Sequence, residues 1–286
     1  MKSTTKGTTR STAATGSPEA AEAPSGAAGR GGRGGPGSLR IRSAVLAAAI
    51  FVVLIGAWQG ATAFHVVSPL ILAPPADVFA ALVRMVGDGS LWPHLAATAQ
   101  ETVAGFAIAV AAAIVIGSAF AFSPIVRTAV YPYILVSQTF PKVAIAPLIV
   151  AAFGYDLMPK IVLAALLAFF PVLTNTIAGL TEVSDDEVNL FRSLRASRWQ
   201  ELCYLRIPNA LVFIFPALNS AAVLALIGAI VGEFVAARVG IGYAIQQFTT
   251  TGEVAGTYAM LVVLSLFGLA LYGLLTLAER FVRRNR

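Results

Sequence analysis

Six side chains carry polar chemistry inside long apolar runs: Gln138, Lys142, Asn175, Asn219, Ser220 and Glu233. A charged or amide group at membrane depth is costly, so it faces protein or water rather than lipid and marks a candidate pathway. One cation with several amides and a hydroxyl suits the binding of a small polar or anionic organic solute by charge and hydrogen bonding. Lys142 has a second reading, in which the proline break around it brings it near the inner membrane surface, where it snorkels. Glu233, between Gly232 and Phe234, reads as the only acid near membrane depth. An unpaired buried carboxylate costs several kcal/mol. The expectation is that backbone amides of Gly240–Tyr243 or a neighbouring span satisfy it, so that it pins an outer gate without touching solute.

The chemistry that the chain lacks narrows the function as much. No Gly-rich loop ending in Gly-Lys-Ser/Thr is present, so the chain has no means of cradling ATP phosphates, and any energy comes from a partner. There is no Gly-x-Ser-x-Gly elbow and no His-Glu-x-x-His. His65 and His94 lack cysteines or carboxylates at ligand spacing, and Cys203 is the single cysteine. An enzyme, a metal site and a cofactor are therefore not expected.

The elements that hold these residues follow from composition. A chain of 286 residues with 57% hydrophobic and 12% charged residues belongs in a lipid bilayer. Spanning takes about 20 apolar residues, and runs of that kind lie at 44–64, 102–122, 128–153, 161–180, 209–232 and 257–278, which gives six spans of an all-α polytopic membrane protein. Gly105 and Gly117 in the second allow close helix packing. The third is interrupted by Pro132, Pro141 and Pro147. A short amphipathic helix at 77–86, with Val78, Leu82 and Met85 on one face, is expected along the outer surface. Asp156 and Lys160 bracket a short outer turn and are placed to pair; Gly240–Tyr243 with Gln246 and Gln247 reads as an outer loop.

Net charge is +6. With the N-terminus inside and the spans alternating, every Lys and Arg except Arg84, Lys142, Lys160 and Arg238 falls on the inner side. That positive-inside bias places both termini of a multi-pass membrane protein in the cytoplasm. The basic residues orient the chain, and no nucleic-acid partner is expected. Residues 1–38 are small, polar and Gly-rich, and read as a disordered cytoplasmic tail; 39–96 hold the first span and the external amphipathic segment, and 97–286 the core.

One polar island, residues 181–208, interrupts the second half between spans four and five. Ser184 with Glu187, and Ser197 with Gln200, have the capping-box spacing. They predict two short helices, 185–194 and 198–205, with a bend at 195–197 and a stop at Pro208. Val188, Phe191 and Leu194 recur at helical spacing on the first, with Arg192 and Arg195 off that stripe: an amphipathic helix built to enter a groove.

The island, with Phe191-Arg192-Ser193-Leu194-Arg195-Ala196-Ser197-Arg198-Trp199-Gln200 and then Leu205-Arg206-Ile207-Pro208, resembles the EAA loop of membrane-spanning permease subunits of bacterial ABC importers, near the sulfonate/taurine/nitrate branch. Phe140–Ala144 through Pro147-Leu148 and Gly154 are similar to the same family's pattern. Counting back from Pro208, Arg195 stands where the family has Gly, and Asn189-Leu190-Phe191 where it has Glu-Ala-Ala. The resemblance implies a type I importer permease fold with a coupling-helix loop at 181–208, a homodimeric pathway, a cytosolic ABC ATPase and an extracytoplasmic solute-binding protein. It implies ATPase docking by Val188, Phe191, Arg192, Leu194, Arg195, Ala196, Ser197 and Trp199. Relatives of this kind carry sulfonates, taurine, nitrate or heteroaromatic vitamin precursors. The competing readings are a self-contained secondary transporter, which would show buried ion-coupling acids and an internal repeat, and a membrane scaffold.

Overall fold

The computed structural model describes residues 36–284 apart from 65 and 69, so most of the expected N-terminal tail lies outside the described residues. The order is α1 Pro36–Ala63, α2 Pro75–Gly87, α3 Leu91–Phe122, α4 Pro124–Thr139, a 3₁₀ turn Lys142–Ile145, α5 Ala146–Phe153, α6 Leu157–Thr181, α7 Asp185–Ser193, α8 Arg198–Glu201, a π turn Leu202–Arg206, α9 Ile207–Ala236, α10 Ile241–Thr251 and α11 Val254–Arg284. No strand occurs among the described residues. The chain divides at Phe51 into two units; the first holds the start of α1, an apolar helix with exposed Val45, Leu46 and Ile50, and the second holds everything from Val52 onward.

Five helices are long and apolar enough to cross a membrane, and a sixth span is made if residues 127–139 and 142–153, bent by 77°, count as one. The break follows from Pro141, which caps the 3₁₀ turn at φ −73°, and from Pro147 in the first turn of α5, a position where a missing N–H costs nothing.

The centre of the second unit is a seam of small residues where α3, α6 and α9 meet: Ala109, Ala113, Ala164, Ala168, Ala221, Ala225 and Ala229 are all buried. Glycines let the backbones close up. A Cβ on Gly228 would stand 2.6 Å from Ala164 Cα, one on Gly179 2.6 Å from Ala210 Cα, and one on Gly117 2.9 Å from Thr176 Cγ2. Such contacts hold helices together where lipid removes the hydrophobic incentive. A second core joins α2, α10 and α11 through Val78, Met85, Ile241, Ile245, Met260 and Val263. The amphipathic face of α2 is therefore spent on protein contacts.

The helices run further than apolar runs alone indicate. Span two begins at Leu91, not near residue 102, because Pro93 is tolerated in a first helical turn; Thr98 and Glu101 are thereby drawn into the bundle. Span four begins at Leu157 and takes Lys160 with it. Gly240–Tyr243 and the glutamines after them are not a loop: α10 starts at Ile241. Pro208 does not stop a helix either. It sits in the first turn of α9, and the wider π turn ahead of it carries the chain without a break, so that 198–236 is one helix. At α7 Ser184 is the N-cap residue but its side chain makes no capping bond, so the expected box there is absent.

Candidate functional site

Two polar constellations lie at opposite ends of α9. The first gathers around Glu233, which is fully buried. Thr98 Oγ donates to Glu233 Oε1 at 2.6 Å, and the Gly242 amide donates to Oε2. The Ile241 amide donates to Thr98 Oγ at 2.8 Å, so α3 and the start of α10 clasp the carboxylate together. One turn before Thr98 on α3, His94 Nδ1 accepts from the Gly240 amide at 3.1 Å and lies 3.0 Å from the Gly240 carbonyl. Gly240 is required twice: its φ of +135° disfavours a side chain, and a Cβ there would run into the Glu233 carboxylate.

Beside it lies an ion pair within the bundle, Lys160 Nζ to Glu101 Oε1 at 3.2 Å, with side chains 8% and 1% exposed. Lys160 packs so closely on α9 that a Cβ on Gly232 would meet its Cα at 3.0 Å. Two carboxylates and one ammonium thus meet where α3, α6 and α9 converge. Glu233 is consequently not the only acid at this depth, and Lys160 does not pair with Asp156. The apolar runs begin after the true starts of α3 and α6, so hydropathy alone leaves Glu101 and Lys160 outside the bundle. Thr98, Glu101 and Thr102 at spacings of three and four mark one helical face, which was the available signal.

The other candidate pathway residues are local. Asn175 Nδ2 donates to the Pro171 carbonyl at 2.8 Å and Ser220 Oγ to that of Pro216 at 3.3 Å; each satisfies its own helix four residues back. Asn219 Oδ1 is buried with no hydrogen-bond donor among the described residues. Lys142 is half-buried: its ammonium donates to the Gln138 carbonyl at 3.3 Å and lies 4.6 Å from the centre of the Phe170 ring. Lys142 thus meets the Gln138 backbone and the α6 ring of Phe170, while the exposed Gln138 side chain, Asn175, Asn219 and Ser220 are not bonded to it.

The second constellation is the island. Helix α7 opens with Asp185, Asp186 and Glu187 against the helix dipole. Its far end is a Schellman turn: the Ala196 amide donates to Phe191 O and the Arg195 amide to Arg192 O, both at 3.0 Å. Arg195 holds the left-handed position at φ +53°, the only non-glycine residue with positive φ among those described. The bend that glycine would make cheaply is made here by arginine. Ser197 and Gln200 form a complete capping box, with bonds of 3.2 and 2.8 Å, that starts α8. Val188 is buried and Phe191 half-buried; Arg192, Ser197 and Arg195 are exposed, Ala196 half-buried. The free apolar groups are Leu190, Leu194 and Trp199, at 56%, 70% and 70% exposure.

Residues 109–284 match the family described as binding-protein-dependent transport system inner membrane component. The chain is 34% identical over 227 residues to the riboflavin transport system permease protein RibX of Chloroflexus aurantiacus, covering 79% of this chain and 85% of that one. It is 31% identical to the formylaminopyrimidine transport permease protein ThiX of Halalkalibacterium halodurans (77% and 87% covered). It is likewise 31% identical to the taurine transport system permease protein TauC of Escherichia coli (78% and 84%). A crystal structure of an amino acid ABC transporter superposes with a TM-score of 0.57 at 20% identity, over 70% of this chain and 97% of that one, a likeness of fold. An all-helical bundle with this seam and a polar island on one end is what the matched region contains, and the chain belongs to the binding-protein-dependent transport system inner membrane component family.

Proposed function

We propose that this chain is the pathway-forming subunit of an ATP-driven importer, working as a homodimer and taking a small polar or anionic organic solute from an external binding protein. The observation that carries the reading is the pair α7 and α8: a short helix closed by a Schellman turn, then a second opened by a capping box, with Leu190, Leu194 and Trp199 left exposed. Exposed apolar anchors on an otherwise charged helix suit insertion into a groove on another protein. A chain that has no phosphate-cradling loop of its own needs such a partner, and here it is a cytosolic ATPase docked by the residues from Val188 to Trp199. The positive-inside count supports an island and termini on the cytoplasmic side. Relatives named for riboflavin, a formylaminopyrimidine and taurine support a solute that is a small heteroaromatic or a sulfonate. Gln138, Lys142, Asn175, Asn219 and Ser220 are the candidate pathway groups, and Glu233 the pin of the outer gate.

The buried acids Glu101 and Glu233 are the one observation that favours a secondary transporter. Both are engaged: Glu233 accepts from Thr98 and Gly242, and Glu101 faces Lys160. A carrier site needs a carboxylate that ions can reach, so the importer reading is preferred. Uptake in cells expressing the chain together with a cognate ABC ATPase and solute-binding protein tests this. Uptake should collapse on ATP depletion and survive dissipation of ion gradients; the reverse pattern selects the secondary transporter.

A further inference from the structure

Both ends of the island are fastened to the bundle by two side chains. Arg206, in the π turn, donates from Nη1 to the Leu180 carbonyl at 2.8 Å, while its Nε and Nη2 hold Glu201 Oε1 at 2.8 and 2.6 Å. Asn209, one turn on, donates from Nδ2 to the carbonyls of Gly179 and Glu182, each at 2.9 Å. These carbonyls belong to the last turn of α6 and to Glu182 that caps it, where the helix has no amides left to offer them. Donors from the π turn and the start of α9 fill that need. Beneath the clasp, the backbones of Gly179 and Ala210 touch, and Leu180, Leu202, Ala210 and Ile214 form a small core of their own. The chain therefore leaves the bundle at Glu182 and re-enters it at Arg206 through one polar knot.

We propose that Arg206 and Asn209 are positioning residues for energy coupling: they lock the end of α6 to the start of α9, so that force applied to α7 moves both helices together. Helix α7 joins α6 through only residues 182–184 and reaches α9 by way of the bend, α8 and the π turn; the knot ties these two paths together at their base. The two helices must move as one for another reason. At their far ends Lys160 of α6 packs against Gly232 of α9, and Glu233 stands beside that contact. A shift of α9 alone would shear it. The inference rests on α7 being the docking element.

The experiment uses the full chain, Cys203→Ser and Arg238→Cys, co-purified with its ATPase in nanodiscs. Arg238 is exposed beside Glu233's end of α9 and reports there without taking part in the knot. The rate of labelling by a polar maleimide is measured without nucleotide and after trapping with ATP and vanadate. In the parent the two rates should differ. In Asn209→Leu, which keeps the volume and loses the donor, and in Arg206→Lys, which keeps the charge and loses the fork, the ATPase should stay bound and hydrolyse within about twofold of the parent. The nucleotide-dependent change in labelling should shrink about tenfold, which corresponds to ~1.4 kcal/mol and is the size expected for losing a half-buried hydrogen bond. Full labelling response in both variants overturns the clasp and leaves the importer reading intact. A parent that binds ATPase but shows no response overturns the clasp as well, and a parent that binds none overturns the importer reading from which it follows. If either variant fails to assemble, the other decides the outcome; if neither assembles, the pair are folding residues and the proposal fails.

Discussion

Lys160 and Glu101 form an ion pair at 3.2 Å between α6 and α3 that is almost sealed from solvent. A buried pair stabilises little by itself, but removing one partner strands the other, at ~3–5 kcal/mol. Lys160→Met should therefore lower the melting temperature sharply in detergent. The double variant Lys160→Met with Glu101→Gln should recover most of the loss, since no uncompensated charge remains beside the satisfied Glu233. Additive losses in the double variant would show that the two side chains do not act as a pair.

Gly240 gives a sharper test of the Glu233 site. Gly240→Ala brings a Cβ into the carboxylate at a φ of +135°, and strain of this kind costs ~1–3 kcal/mol. Expression and thermal stability should both fall. In a double variant with Glu233→Ala the two losses should be less than additive, because the steric part is relieved, which a thermal shift assay reads directly.

Glu233→Gln and Glu233→Ala should separate. Glutamine still accepts from Thr98 through its amide oxygen and fits the cavity, so transport should continue at a reduced but measurable rate. Alanine leaves the Thr98 hydroxyl and the Gly242 amide without acceptors, at about 1–3 kcal/mol each, and uptake should drop to background while membrane insertion persists. Equal uptake by the two variants would remove Glu233 from the gate.

On the island, Leu194→Asp puts a charge on the apolar surface of α7 that is most exposed. An anchor in a groove is worth ~2 kcal/mol or more, so retention of the ATPase on affinity purification should fall at least about tenfold. The helix itself should survive, because its Schellman turn uses backbone groups only.

Arg195→Gly and Arg195→Val should act in opposite directions. The left-handed conformation at φ +53° costs an ordinary residue about 1 kcal/mol and glycine nothing, whereas a β-branched residue is worse off than arginine. Glycine should leave thermal stability unchanged or slightly improved; valine should lower it.

Much of this architecture is written in local patterns. The island was legible because Ser197-x-x-Gln200 is a local code that needs no tertiary knowledge, and so was the Pro141 break. The limits were at helix starts. Apolar runs mark where a helix crosses lipid, but the first turns of α3 and α6 mix apolar residues with Thr98, Glu101 and Lys160, whose burial depends on other helices. Glu101 and Lys160 are about 60 positions apart in the chain, and neither carries a sign of the other. Ser184 fits a capping box as well as Ser197 does and makes none, since spacing permits that bond without requiring it. Pro208 misled for a related reason: the π turn that absorbs it has no sequence signature independent of the helix it joins.

The unbroken helix from Arg198 to Ala236 has 39 residues. At 1.5 Å per residue it is about 58 Å long, against a hydrocarbon layer of about 30 Å. Even tilted by 40° it rises about 45 Å. With Ala236 at the far boundary of the hydrocarbon, Arg198 stands roughly 15–28 Å beyond the near one. Leu194 and Trp199 are thereby lifted clear of the acyl chains, through the depth of the lipid headgroups, and a protein closing over them meets water and headgroups before it meets oil. Membrane thickness becomes a variable of this contact: a bilayer several ångströms thicker lowers the platform by the same amount and narrows the space left for whatever grips it.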